Sequence, residues 1–175
     1  MNHQTSIKIR RATRQDVDLI NRLASVIFPH TYSPILSVQQ VEYMFNMMYA
    51  PHNIEHQMEM GHQYFIAQVD SKAVGYLSFR EIEPGAYYIE KIYTLPETHG
   101  MGVGKRLFEF ATELSLHLCS NNSCTLELNV NRFNKRAIGF YSKMGMRAIR
   151  QTDECVGKGY YANDYVMRLE LTKIV

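Results

Sequence analysis

The sequence predicts an α/β fold of the α+β kind: a mixed, mostly antiparallel central sheet of about seven strands flanked by helices, in the order β-α-α-β-β-β-α-β-α-β-β. Three observations predict it. Short stretches alternate apolar and polar residues with the period of a half-buried strand. Stripes with the period of a helix fall between some of these stretches and not others. Turn residues join the remaining strands directly. Helical crossovers allow parallel neighbours and tight turns impose antiparallel ones, so the sheet must be mixed.

Taken in order, Ile7 and Ile9 alternate with Lys8 and Arg10 as a first strand, and Thr13 offers an N-cap to a helix with the stripe Val17, Ile20, Leu23, Ala24 and Ile27. Ser37 with Gln40 has the form of a capping box and opens a second helix carrying Val38, Val41, Met44, Phe45 and Met48. A short helical piece is expected over Asn53–Met60. After Gly61 the period changes: Tyr64–Val69, a turn at Asp70-Ser71-Lys72 and Ala73–Arg80 read as an antiparallel hairpin, and Pro84-Gly85 turns the chain into Tyr87–Leu95, which Pro96 stops. From Gly102 a long helix places Leu107, Phe108, Ala111, Leu114, Ser115 and Leu118 on one face. Thr125–Val130 is a further core strand. Asn134 caps a helix bearing Ala137, Phe140, Tyr141 and Met144, with Gly145 suited to its C′ position. Met146–Thr152 and Tyr161–Leu171, split by a glycine-containing loop, finish the chain.

With 175 residues, 46% hydrophobic and 21% charged, the chain has the composition and length of one domain, and residues 1–175 are expected to form it without a linker or repeat. No apolar run approaches the ~20 residues that span a bilayer, and Met1 to Arg11 has no apolar stretch behind its charges. A soluble, cytoplasmic protein with no membrane partner is the expectation. A net charge of +2 is too small for a nucleic-acid footprint, despite the local basic start at Lys8, Arg10, Arg11 and Arg14. Three cysteines (Cys119, Cys124, Cys155) without a CxxC pair suggest reduced thiols, neither a disulfide framework nor a zinc knuckle. His52, His56 and His62 form no ligand motif, so no metal is expected.

The chemistry concentrates in Tyr93–Lys105, where Gly100, Gly102 and Gly104 stand at the junction of a strand and a helix. Glycines permit close backbone approach, and the free N–H groups and dipole of a helix start attract an anion, so a phosphate should bind there. The spacing fits neither a Walker A loop, since Gly100 and Gly104 are too close and Arg106 follows Lys105, nor a GxGxxG dinucleotide fingerprint, whose third glycine would come later. A glycine-rich turn without a ligand is the plain alternative.

In this stretch the sequence resembles the GNAT superfamily of acyl-CoA-dependent N-acetyltransferases, whose diphosphate loop reads Q/R-x-x-G-x-G/A. His99-Gly100-Met101-Gly102-Val103-Gly104 matches it everywhere but the first position, and the departure leaves the main-chain cradle intact. Asn131–Met146 is similar to a second segment of the superfamily, N-x-x-A-x-x-F-Y-x-x-x-G-F. The resemblance implies acetyl-CoA as cosubstrate. Ile92, Tyr93 and Thr94 would offer backbone groups to the pantetheine arm; His99, Gly100, Met101, Gly102, Val103, Gly104 and Lys105 would hold the diphosphate; Asn134 would reach the pantetheine amides; and Lys135 or Arg136 would face the ribose phosphate. Asn134 has a second reading as a plain N-cap.

The same resemblance makes Tyr141 the general acid for the departing thiolate, against a reading as a buried structural tyrosine. Glu90 is the leading general base, against a reading as a salt-bridge partner. Some members carry an acidic base at the position of Asn129, an amide that cannot serve, and Glu127 is a minor candidate. Nothing near the cysteines supplies an activated thiolate, so direct attack in a ternary complex is expected rather than an acyl-cysteine. Phe28-Pro29-His30-Thr31-Tyr32, assigned to the segment between the first two helices, and the strand Tyr88–Tyr93 resemble polyamine acetyltransferases of the PaiA type. This implies a small-molecule amine acceptor, possible polyamine character, and contacts from Phe28, Thr31 and Tyr32. Acidic Glu55, Glu59, Glu83 and Glu90 and aromatic Tyr32, Tyr87, Tyr88, Tyr160 and Tyr161 would suit a polycation, though surface charge and core packing explain most of them equally well. A peptide N-terminus, another small amine, or a non-catalytic acyl-CoA sensor are the alternatives, and pairing into a homodimer is a further expectation from relatives.

Overall fold

The computed structural model describes residues 6–174. Both ends of the expected 1–175 domain lie outside that range. Seven strands form one hydrogen-bonded sheet, β1 (Ile7–Arg11), β2 (Gln63–Val69), β3 (Lys72–Glu83), β4 (Ala86–Thr94), β5 (Ser123–Asn131), β6 (Arg147–Gly157) and β7 (Tyr160–Thr172), in the spatial order β1-β2-β3-β4-β5-β7-β6. Five helices accompany them among the described residues: α1 (Val17–Tyr32), α2 (Val38–Tyr49), α3 (Pro51–Glu59), α4 (Val103–Leu118) and α5 (Lys135–Lys143). The predicted order and mixed character are both present. β4 and β5 run parallel because α4 carries the chain between them, whereas β5 with β7 and β6 with β7 are antiparallel.

The chain packs as two compact units, one comprising residues up to Ser78 with Lys91–Leu107, the other Phe79–Glu90 with Phe108 onward. In the first unit the predicted α1 stripe is buried throughout, and Phe28 extends it. The core it forms with Val41, Ile54, Ile66 and Tyr76 also takes in Tyr49 and Tyr64. Phenol oxygens this deep need partners. Tyr76 donates to the Tyr49 hydroxyl at 2.9 Å, and Tyr64 donates to Gln57 Oε1 at 2.6 Å. Lys91, only 6% exposed, donates from Nζ to the same Gln57 oxygen at 2.8 Å and lies 5.7 Å from the ring centres of both Tyr49 and Tyr64.

Several local expectations need correction. Thr13 caps a 3-10 turn, Arg14–Asp16, in a reciprocal capping box with Asp16, and α1 starts one turn later. Val38 is 75% exposed because it is the first residue of α2, ahead of the buried stripe, and Leu118 is exposed as the last residue of α4. Phe28–Tyr32 is not a connection between helices: it is the end of α1, and Pro29 sits inside the helix. Pro29 sacrifices one backbone hydrogen bond there, yet the helix continues because Phe28 and Tyr32 extend its apolar face by one turn and Thr31 Oγ1 bonds the Ile27 carbonyl at 2.8 Å. The turn after β2 needs only Asp70 and Ser71, both left-handed (φ 48° and 66°), the geometry that matches the twist of a hairpin.

The second unit holds Phe108, Phe140 and Tyr141 as a three-ring contact, with centroids 5.3–6.3 Å apart. Gly145 (φ 93°) ends α5 as predicted, and Lys158 and Gly159 make a left-handed turn between β6 and β7. β7 pairs with β5 on one side and β6 on the other, so the last strand inserts inside the sheet and β6 becomes the edge.

Candidate functional site

In the first unit β4 runs past its last β5 partner, Ile89, to Thr94. Beyond it the Leu95 amide bonds the Val74 carbonyl at 2.8 Å, and a 3-10 turn, Pro96–Thr98, is tied down by Thr98 Oγ1 on the Leu95 carbonyl at 2.8 Å. The glycine stretch follows. Gly100 (φ 87°) and Gly102 (φ 82°) are left-handed, and a Cβ at either would meet nothing within 4 Å, so the backbone there borders open space. The Gly102 carbonyl accepts from Arg106 at 2.9 Å, the bond that begins α4, so the amides ahead of Arg106 have no carbonyl of the helix to bond. Val103, 1% exposed, anchors this turn, while Met101 and Lys105 are exposed. Gly104 lies within the first turn of α4. This turn stands at the positive end of a sixteen-residue helix, a geometry able to receive an anion. His99 precedes it, its ring 6.4 Å from that of His30.

Ile92, Tyr93 and Thr94 are half-buried on the strand leading to this loop. The Tyr93 hydroxyl is 2.8 Å from that of Tyr32, which fixes the end of α1 to β4. A Cβ on Gly75 would stand 2.6 Å from the Tyr93 carbonyl oxygen, so β3 admits β4 at this level only because residue 75 is glycine. Phe28 belongs to the core, 4.6 Å from Tyr32 and 5.7 Å from Tyr49 between ring centres, and Thr31 spends its hydroxyl inside α1.

In the second unit Asn134 caps α5, its side chain accepting from the Ala137 amide at 3.1 Å, and Arg136 is exposed in the first turn. Tyr141 is the one buried residue of α5. Glu90 is half-buried and accepts from Arg80 Nε at 2.5 Å; Arg80 in turn lies 5.7 Å from the centre of the Tyr88 ring. Glu127 accepts from Arg168 Nε at 2.7 Å across the β5–β7 pair. Asn129 donates to Asp164 Oδ2 at 3.4 Å. Burial pushes the Tyr88 hydroxyl above its ordinary value, reinforced by the charges of Glu90 and Asp164. Tyr87 stacks on Phe79 at 5.5 Å as a core residue, so its ring is closed to any ligand.

Sequence reasoning missed Arg80 and Gly75, and gave Asp164 a place in the last strand with no side-chain partner. A signal for Arg80 existed, because folding the chain back at Pro84-Gly85 returns Glu90 to the level of Arg80. Asp164 had none, since only the long-range β5–β7 pairing brings it to Asn129. Cys119 and Cys124 are buried and Cys155 is exposed. Cys119 donates to the Asn121 and Ser123 carbonyls, both at 3.3 Å, and burial together with Cys119 pushes the Cys124 thiol up to about 11, the opposite of an activated nucleophile. Among the described residues no group of three or more His, Cys, Asp or Glu is placed to hold a metal, and no helix is long and apolar enough to cross a membrane.

Comparison with known proteins bears on the same residues. The profile of the acetyltransferase (GNAT) family matches residues 28–146. An N-alpha-acetyltransferase of Sulfurisphaera tokodaii is 26% identical over 168 residues, covering 89% of this chain and 86% of the relative. A peptidyl-lysine N-acetyltransferase of Salmonella typhimurium is 32% identical over 74 residues, 42% of this chain and 46% of the relative. The chain spans about half the length of the curated relatives it matches at 31–33% identity, namely 52%, 58% and 46% of each. Among solved structures, the PaiA N-acetyltransferase of Thermoplasma acidophilum in complex with coenzyme A superposes with a TM-score of 0.73 at 21% identity, over 93% of this chain and 98% of that one, a likeness of fold.

Proposed function

Because the chain belongs to the acetyltransferase (GNAT) family, we propose that it transfers the acetyl group of acetyl-CoA to a primary amine by direct attack in a ternary complex, with residues 1–175 acting as one functional domain. The observation that carries this reading is the pair of left-handed glycines, Gly100 and Gly102, bordering open space at the start of α4, where the Gly102 carbonyl takes the first bond of the helix. Such a turn suits the diphosphate of a CoA thioester.

Acetyl-CoA supplies an acyl group already activated as a thioester. The chain supplies the rest. His99 to Lys105 hold the diphosphate; the backbone of Ile92, Tyr93 and Thr94 aligns the pantetheine arm and polarises the thioester carbonyl; Asn134 adds its amide while capping α5; and Arg136 meets the ribose phosphate. Only a free amine attacks, so the acceptor ammonium must lose a proton to a carboxylate, Glu90 of β4 being the one to which the family resemblance points. The Tyr141 hydroxyl protonates the leaving thiolate. The high value of the Cys124 thiol supports attack without an acyl-cysteine.

For the acceptor, a polyamine is favoured by the half-buried Tyr32 and Tyr88 and by the carboxylate of Glu90, groups that suit a methylene chain with cationic ends. A peptide N-terminus is the second reading, favoured by the relative named an N-alpha-acetyltransferase, which matches 89% of the chain. A homodimer in the cytoplasm, where acetyl-CoA meets reduced thiols, completes the proposal. Thiol release measured with spermidine, spermine, peptides with free N-termini and lysine-ended peptides separates the acceptors. Tyr141→Phe should lower turnover by ~100-fold or more while leaving acetyl-CoA binding in place. Binding of acetyl-CoA with no turnover on any amine would instead identify an acyl-CoA sensor.

A further inference from the structure

Side chains whose residues pair in register share a face of the sheet. In the second unit one face therefore carries Tyr88 and Glu90 of β4, Glu127 and Asn129 of β5, and Asp164 and Arg168 of β7, with Thr152 of β6 directly opposite Asp164. Besides Glu154 and Glu170, that face carries the carboxylates Glu90, Glu127 and Asp164, and two of these three are taken. Glu90 is bonded to Arg80 at 2.5 Å and Glu127 to Arg168 at 2.7 Å, so protonating either would break a charge-assisted bond. Asp164 differs. Its hydrogen bond is a long one, 3.4 Å, from the neutral Asn129 amide. Arg132, the nearby cation, is committed to Gln151 at 2.9 Å and to Asp153. Beside it the Thr152 hydroxyl oxygen is buried with no hydrogen-bond partner among the described residues.

We propose that Asp164, rather than Glu90, takes the proton that the acceptor ammonium must lose, a proposal resting on the acetyl-transfer reading above. A base needs an available lone pair and a proton affinity near the working pH. The groups that act on Asp164 are Tyr88 from β4, Asn129 from β5, Arg132 just beyond β5, and Glu154 and, from the opposite face, Asp153 of β6. Burial raises the Asp164 carboxyl from its ordinary value, Glu154 and Asp153 add to the rise, and Asn129 and Arg132 oppose it, so the balance favours accepting a proton. In the reaction an N–H bond of the ammonium breaks, its electron pair stays on nitrogen and the proton passes to the Asp164 carboxylate. The freed pair forms the C–N bond at the thioester carbonyl. As the tetrahedral intermediate collapses, the C–S bond breaks with its pair on sulfur, which takes the Tyr141 proton; the second proton shed by nitrogen restores the Tyr141 hydroxyl, and the proton on Asp164 goes to solvent. Glu90, tethered by Arg80, contributes charge that draws the ammonium in.

The test is the dependence of kcat on pH for the wild type, Asp164→Asn, Asp164→Glu and Glu90→Gln, with thiol release from a reactive amine as readout and melting temperature and acetyl-CoA affinity as controls. Asp164→Asn should lose ~100-fold or more in kcat and its acidic limb, with acetyl-CoA affinity retained. Asp164→Glu should keep the limb at a shifted pH, and Glu90→Gln should raise KM while leaving the limb in place. If Asp164→Asn melts early, the shift in Asp164→Glu decides. An acidic limb abolished in Glu90→Gln and unmoved in both Asp164 variants overturns the proposal and leaves acetyl transfer standing. A wild type that turns over no amine at any pH overturns both.

Discussion

The Tyr76 hydroxyl donates to the Tyr49 hydroxyl at 2.9 Å where neither ring reaches solvent. Burial holds both phenols well above the ordinary tyrosine value. Because the folded state keeps these protons longer than the unfolded chain, their contribution to stability is whole below about pH 10 and declines as pH rises beyond it. Urea unfolding between neutral pH and pH 11 should show this loss, and Tyr76→Phe, which strips the Tyr49 oxygen of its partner, should cost ~1–3 kcal/mol at pH 7.

Gly75→Ala should be among the more damaging small substitutions in the chain. The added methyl would stand 2.6 Å from a backbone oxygen of β4, which no side-chain rotation can relieve. A cost of ~1–3 kcal/mol is expected from the forced separation. Since the strain falls on Tyr93, at the start of the proposed cofactor contacts, acetyl-CoA affinity measured by calorimetry should fall with it.

Gly102→Ala separates binding from folding. Its Cβ would meet nothing, so the cost is the left-handed backbone alone, ~1–2 kcal/mol. The melting temperature should drop modestly. Acetyl-CoA affinity should fall several-fold, because the same residue both begins α4 and borders the cradle; equal affinity in the variant would remove this turn from the cofactor site.

Thiol accessibility gives a fourth check. Cys155 is exposed, whereas Cys119 and Cys124 are buried and Cys124 ionises only near 11. Iodoacetamide at neutral pH should modify Cys155 in the folded protein and the other two only after unfolding, as read by peptide mass mapping. A Cys155→Ser variant should retain full turnover.

Much of this fold is written locally. The Ile7/Ile9 alternation, the α1 stripe, the Ser37 cap and the turns at Asp70-Ser71 and Pro84-Gly85 each announce an element within a few residues, and the Gly100–Gly104 stretch announces the left-handed turn ahead of α4. What stayed hidden depends on pairing over distance. That β7 enters between β5 and β6 decides which carboxylate meets Asn129, and no local pattern encodes it. The Phe28–Tyr32 stretch misled because the resemblance assigned it to a connecting segment, while the aromatic stripe through Phe28 and Tyr32 carries α1 past Pro29 despite the single lost bond. Tyr49 and Tyr76 gave no warning of their depth, since a phenol looks half-polar until its partner is known.

Lys91, roofed by two aromatic rings, bears on how such a protein would survive its own reagent. A thioester donor at high concentration acylates surface amines without any enzyme, and the exposed lysines of this chain, Lys105 and Lys135 among them, would accumulate that damage. The Lys91 amine, 6% exposed and bonded to Gln57, is withheld from it. Slow chemical ageing should therefore mark the periphery and spare the interior ammonium on which the first unit is assembled.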